Sequence, residues 1–130
     1  MGDPDRHELG LARYREVYGD DATVLPPGTA FFDLMIEQLF AEVWTRPALG
    51  VPMRRLLTMG VLAAQSRFEV LGLQFRRTLD NGELTVEQVR EVVVHLVSYV
   101  GYGASGELFR VSEVAIAEHQ AAAGGTAPPA

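Results

Sequence analysis

The residues best suited to chemistry fall in two stretches of the chain. In the first, Glu42, Trp44, Arg46, Arg54 and Arg55 crowd around an elbow broken by Pro47 and Pro52. A guanidinium pair such as Arg46 and Arg54 can fork onto the carboxylates of an anionic substrate and stabilise charge that develops on it. The ordinary alternative is surface pairing, of Arg46 with Glu42 and of Arg54 or Arg55 with acids such as Asp33 or Glu37. Trp44 is a natural core residue whose indole N–H needs a partner when buried. In the second stretch, His95 is followed by Tyr99 at i+4 and Tyr102 at i+7, which a continuous helix would place on one face. An imidazole there can donate or accept a proton; the plain alternative is a core or interface histidine bonded to a backbone carbonyl.

Other polar residues carry less. Glu69 and Gln74 are five apart, so they do not share a helix face, and both read as solvated. His7 lies near the start and His119 beside Glu118, with no His-x-x-x-His, Glu-x-x-His or His-x-Glu pairing. No metal site is therefore expected, since its ligands would have to converge from distant segments. Gly101-Tyr102-Gly103 and Gly124-Gly125 follow no strand and are helix breaks, not phosphate loops.

The elements that position these residues follow from caps, prolines and apolar spacing. Asp3-Pro4 and the stripe Leu9, Leu11, Ala12, Val17 and Tyr18 predict a helix from about Pro4 to Tyr18. Pro26-Pro27-Gly28 fixes a loop, and Thr29 is the expected cap of a helix from Ala30 to about Trp44. Its apolar side is expected to carry Phe31, Leu34, Met35, Leu39 and Phe40. Pro47 stops that helix, and Pro52 opens a third, through Leu56, Met59, Leu62 and Ala63 to about Ser66. The stripe resumes as Phe68, Leu71, Phe75 and Leu79, which leaves open whether the helix breaks at Ser66-Arg67 or continues to the Asn81-Gly82 stop. Thr85 and Gln88 fit a reciprocal capping box for a helix from Val86 to about Val100. Residues 92–100 are apolar nearly all round, which predicts burial on every side by the chain itself or by a neighbouring subunit. A last helix runs from Ala104 to about Ala122, and 124–130 reads as a disordered tail. With no alternating strand, the expected fold is all-α, one compact domain of about six helices over 1–123.

Composition narrows the partners. With 130 residues, the chain is long enough for a real core without disulfide or metal staples. A formal charge of −6 and a pI near 5.0, without basic clusters, argue against nucleic acid and anionic membranes. A small anionic substrate stays compatible where arginines gather locally. No charged leader and no apolar run of the ~18–20 residues that span a bilayer is seen, so a soluble, cytoplasmic protein is expected. There is no cysteine, which removes thiol redox chemistry and thiolate ligands. There is no lysine either, all 11 basic residues being arginine, which removes Schiff-base chemistry.

Taken together, these stretches resemble the carboxymuconolactone decarboxylase family over nearly the whole chain. The segment 12–20 resembles its opening helix, and Glu42-Val-Trp-Thr-Arg-Pro-Ala-Leu49 matches its Trp-x-Arg-Pro-x-Leu elbow. Arg54-Arg-Leu-Leu-Thr58 resembles its Arg-Ser-Leu-x-Thr helix start. Leu79-Asp-Asn-Gly-Glu-Leu-Thr85 with Val86–Val92 is similar to its Leu-Asn-Asn-Gly-x-Thr and Glu-Glu-Ile-x-Glu-Val run, and His95-x-x-x-Tyr99-x-Gly101 fits its His-x-x-x-Tyr-x-Gly pattern. The resemblance implies an all-helical subunit of the alkylhydroperoxidase D-like type, assembled as a homotrimer or homohexamer with sites near subunit contacts. It also implies cofactor-free loss of carbon dioxide from a carboxylated lactone-like acid. On that reading His95 reprotonates carbon, Tyr99 orients it and Arg46 stabilises charge, while Arg54, Trp44, Glu42, Gln74 and Tyr102 bind substrate.

Two departures are visible. Gln74 occupies the place of a family histidine, and Gly101-Tyr-Gly-Ala-Ser105 replaces Gly-Trp-Pro-Ala-Ala. The Cys-x-x-Cys pair of the peroxidase branch is absent, so peroxidase activity is excluded. The leading expectation is a decarboxylase-like lyase or related proton-transfer enzyme acting on a small cyclic, aromatic or polyketide-like acid. The alternative is an oligomeric ligand-binding or scaffold protein that kept the fold; a metal-dependent enzyme is a third reading.

Overall fold

A computed structural model describes residues 4–124, and every regular element among them is helical. The chain divides at Arg54 and Arg55 into two compact units.

In the first unit, α1 (Pro4–Tyr18) has the predicted bounds, although Asp3, its expected cap, lies outside the described residues. Gly19, at φ +104°, closes the helix by donating to the Arg15 carbonyl at 2.7 Å. The next helix begins as α2 (Ala30–Leu34) but does not stay α-helical to Trp44; it passes into a π-helix (Met35–Val43). Its buried residues suggest why. Phe32, Ile36, Phe40 and Trp44 are all buried and recur at strict i+4. Along an α-helix each such step drifts by ~40° around the axis. The wider π-turn, closing i→i+5 bonds, turns that drift back and keeps the four on one side.

That side meets the aromatic rings of α1. Tyr14 makes edge contacts with Phe32 at 5.7 Å and Phe40 at 5.2 Å, and Trp44 stacks on Phe40 at 6.1 Å. Phe31, Leu34 and Leu39, expected on the core side, are exposed instead, because the expectation took its stripe from the wrong register. Backbones meet closely at Gly10, where a Cβ would lie 2.1 Å from the Ile36 carbonyl oxygen. Thr29 makes no side-chain cap; Asp33 reaches back instead, Oδ2 accepting the Gly28 N–H at 2.9 Å.

α3 (Val51–Ala64) opens in the first unit with Pro52 in its first turn and runs on into the second. The helix does break near Ser66. Ser66 takes φ +57°, its N–H donating to the Ala63 carbonyl at 3.1 Å while Arg67 N–H donates to that of Leu62 at 2.8 Å. This is a Schellman closure with serine where glycine is usual. α4 (Phe68–Asp80) ends the same way at Gly82, φ +68°, with Glu83 N–H donating to the Thr78 carbonyl at 2.9 Å.

Both capping-box bonds are present at the head of α5 (Val86–Val100), between Thr85 and Gln88. A 3-10 turn (Tyr102–Ala104) leads into α6 (Ser105–Gly124), which runs past the predicted end at Ala122 and takes Gly124 out of the expected tail. Residues 125–130 lie outside the described residues. The unit's core holds Met59, Leu71, Phe75, Val89, Val93, Val97, Leu108 and Ile116. α5 buries only Val89, Val93 and Val97; Val94, His95 and Tyr99 are exposed, so this chain does not itself cover the helix on every side.

Candidate functional site

The second unit is built around a buried charge. Arg55 sits in the i+4 stripe Val51, Arg55, Met59, Ala63 along α3 and is 0% exposed. A guanidinium there needs acceptors in return for lost water. Glu83 supplies two, Oε1 accepting from Nε at 2.7 Å and Oε2 from Nη2 at 3.1 Å. Gln74 supplies a third, its Oε1 accepting from Nη1 at 2.6 Å. The Schellman closure of α4 fixes the Glu83 backbone, and Asn81 Nδ2 donates to Glu83 Oε2 at 3.2 Å.

Gln74 is therefore not solvated, as its spacing from Glu69 had suggested, but fully buried; its Nε2 has no hydrogen-bond partner. Nor does Arg55 pair with Asp33 or Glu37 at a surface. Arg55 and Glu83 were missing from the predicted site residues. The available signal was Arg55 itself, a cation standing in an apolar stripe.

His95 and Tyr99 come together on the exposed side of α5, ring centroids 5.0 Å apart. Tyr102 does not continue that face: the helix ends at Val100, Gly101 turns the chain at φ +97°, and Tyr102 is exposed in the following turn. Neither ring nitrogen of His95 has a hydrogen-bond partner among the described residues, so the backbone-carbonyl bond of the plain alternative is not formed among them. The other two histidines face carboxylates. His119 Nδ1 lies 2.7 Å from Asp80 Oδ1, and His7 Nδ1 lies 3.7 Å from Glu37 Oε2.

Around Asp80 the chain builds a charged cluster with Arg76, Arg77 and His119. Partial burial works to raise the Asp80 pKa, but the His119 hydrogen bond and the two guanidinium charges together hold it below the usual aspartate value. Glu113 is likewise lowered, by its hydrogen bonds from Arg90.

In the first unit the elbow residues have separate fates. Glu42 pairs with Arg6, not Arg46. Arg46 is left exposed, its guanidinium without an ion-pair partner among the described residues. Arg54 donates to the carbonyls of Leu49 at 3.0 Å and Arg46 at 3.2 Å, clamping the elbow's backbone. Trp44 is core, on Phe40. A shallow open groove in this unit is lined by Asp5, Arg6, Leu9, Ala41 and Glu42.

Chemically, the second unit offers an imidazole for proton transfer and the first, taken by itself, a guanidinium for a carboxylate, neither with a polar side-chain partner among the described residues. Among the described residues no helix is long and apolar enough to cross a membrane.

Comparison with known proteins agrees with the helical pattern. The chain is 29% identical to a 4-carboxymuconolactone decarboxylase of Acinetobacter baylyi over 119 residues, 87% of this chain and 88% of that protein. It is 38% identical over 69 residues to a nitrosuccinic acid decarboxylase of Metarhizium robertsii, covering 53% of this chain and 48% of that one. No solved structure matches. Residues 29–114, from the cap of α2 into α6, match the carboxymuconolactone decarboxylase family, and the chain belongs to that family.

Proposed function

We propose that this protein is a cofactor-independent, cytoplasmic carboxy-lyase acting on a small carboxylated cyclic, aromatic or polyketide-like acid. The observation that carries the reading is His95, whose ring nitrogens have no hydrogen-bond partner among the described residues while Tyr99 lies against its ring. The relatives named above are decarboxylases of a carboxylated lactone and a nitro diacid, acids with an electron-withdrawing group to receive a pair of electrons.

In the reaction the bond between carbon and carboxylate breaks and carbon dioxide leaves. The electron pair passes into the substrate's electron-withdrawing group, and the His95 imidazolium delivers a proton to carbon, to be reprotonated from water. Tyr99 restricts the imidazole's orientation. Arg46, whose guanidinium has no ion-pair partner among the described residues, is assigned to a substrate carboxylate. Arg54 and Trp44 serve through the elbow they hold, and Gln74 through Arg55. The face of α5 carrying Val94 and Tyr99, 61% and 80% exposed, suits cover by further copies in a homotrimer or homohexamer.

The test is carbon dioxide release from a panel of carboxylated lactones, nitro diacids and aromatic acids. His95→Ala should lower kcat by ~10²-fold or more, and Arg46→Ala should chiefly raise KM. Turnover untouched by His95→Ala overturns the assignment.

A second reading is a non-catalytic ligand-binding protein. It is favoured by Gln74, which stands where the family pattern has histidine and is committed to Arg55. It predicts calorimetric binding of such acids with no product formed.

A further inference from the structure

Three residues from two separate stretches of sequence converge in the first unit. His7 comes from α1, Asp33 from α2 and Glu37 from the π-helix, and one ligand atom from each lies within 4.8 Å of the others. We propose that they form a binding site for a divalent transition-metal ion of the zinc class, tying α1 to the α2/π-helix rather than taking part in decarboxylation.

Several features of the site favour a cation over a simple ion pair. His7 Nδ1 and Glu37 Oε2 are 3.7 Å apart, too far to hydrogen-bond, yet close to the separation of two ligands that each stand ~2.0–2.2 Å from one ion. Asp33 Oδ2 is occupied by the Gly28 N–H, but Oδ1 is buried with no hydrogen-bond partner, an acceptor that a cation would satisfy. With His7 neutral the three carry a charge of about −2, which a divalent ion balances, and imidazole with two carboxylates suits zinc or manganese better than calcium. The nearby cation Arg6 does not compete, because its guanidinium pairs with Glu42 and donates to the Glu37 backbone carbonyl, leaving the Glu37 carboxylate free of it. His7 and Glu37 keep 19% and 14% of their side-chain surface exposed, enough for an ion to enter and complete its shell with water.

Isothermal titration of the metal-stripped full chain with Zn²⁺ tests this, together with the visible absorption of Co²⁺ as a probe of ligand geometry. One ion per chain is expected, with melting temperature rising on the order of 5–10 °C at a hundredfold excess over Kd. His7→Ala and Glu37→Gln should each weaken binding at least tenfold and remove the Co²⁺ band, circular dichroism confirming that they fold. His119→Ala, which removes the other histidine–carboxylate pair, should leave both intact. The proposal is overturned if wild-type protein binds no stoichiometric Zn²⁺, or if binding survives in His7→Ala and Glu37→Gln or is lost in His119→Ala.

Discussion

Arg55, Glu83 and Gln74 illustrate how a single residue sets the requirements of its neighbours. A fully buried guanidinium is tolerable only with its acceptors in place, so Glu83→Gln should destabilise the protein by about 3 kcal/mol or more, read as a fall in urea midpoint. The double variant Arg55→Met, Glu83→Leu, which removes both charges, should recover much of that loss; if it is as unstable as Glu83→Gln alone, the cost is not that of an unpaired charge. In the sequence, Arg55 stands where the family pattern has serine and Gln74 where it has histidine. The structure joins these two positions in one hydrogen bond, at 2.6 Å. Neither was legible alone, because a glutamine at an arbitrary spacing reads as solvated until its buried donor is known. His95 was legible as a candidate from its type and its i+4 tyrosine; its unpartnered nitrogens were not, since they depend on what the fold leaves around α5.

At the scale of elements, what could be read was punctuation. Proline positions, the Thr85 and Gln88 box and Gly82 marked α1, the start of α3, the end of α4 and α5 nearly to the residue, because each is a local backbone preference. Ser66 in a left-handed conformation could not be read that way, since serine carries no signal for positive φ. The π-helix was missed because its stripe was sought with an α-helical period. The meeting of α1 with that helix rests on Gly10. Alanine is the better helix former by ~1 kcal/mol, yet Gly10→Ala should lower stability by about 1–3 kcal/mol, because its Cβ would overlap the Ile36 carbonyl oxygen and backbone cannot step aside. A thermal or urea melt decides it, and a stabilised Gly10→Ala would mean the approach is looser than 2.1 Å.

For the whole molecule, the all-helical class was legible from the absence of any alternating stretch, and family membership from five motif blocks in order. Its charge behaviour was not, because it depends on pairs such as Asp80 with His119, 39 residues apart. A carboxyl whose folded pKa is depressed contributes stability above its unfolded value and loses it as pH falls through the folded value. Asp80 and Glu113 are both of this kind. Their contribution should be intact at neutral pH and disappear below about pH 4, and Asp80→Asn should flatten that acid limb of the unfolding curve without steepening it near pH 7.

The π-helix also dictates how this chain can change over generations. A π-turn holds about one residue more than an α-turn, so Met35–Val43 is equivalent to an α-helix carrying an insertion. Losing one codon between Ile36 and Phe40 can be met by a π-turn reverting to an α-turn, whereas gaining one more would swing everything upstream by ~100° about the axis. Asp33 would turn away from His7 while Trp44 kept its place on Phe40. In this stretch a substitution is a local event and a further frame-preserving insertion is a global one, so length, more than identity, is the inherited quantity.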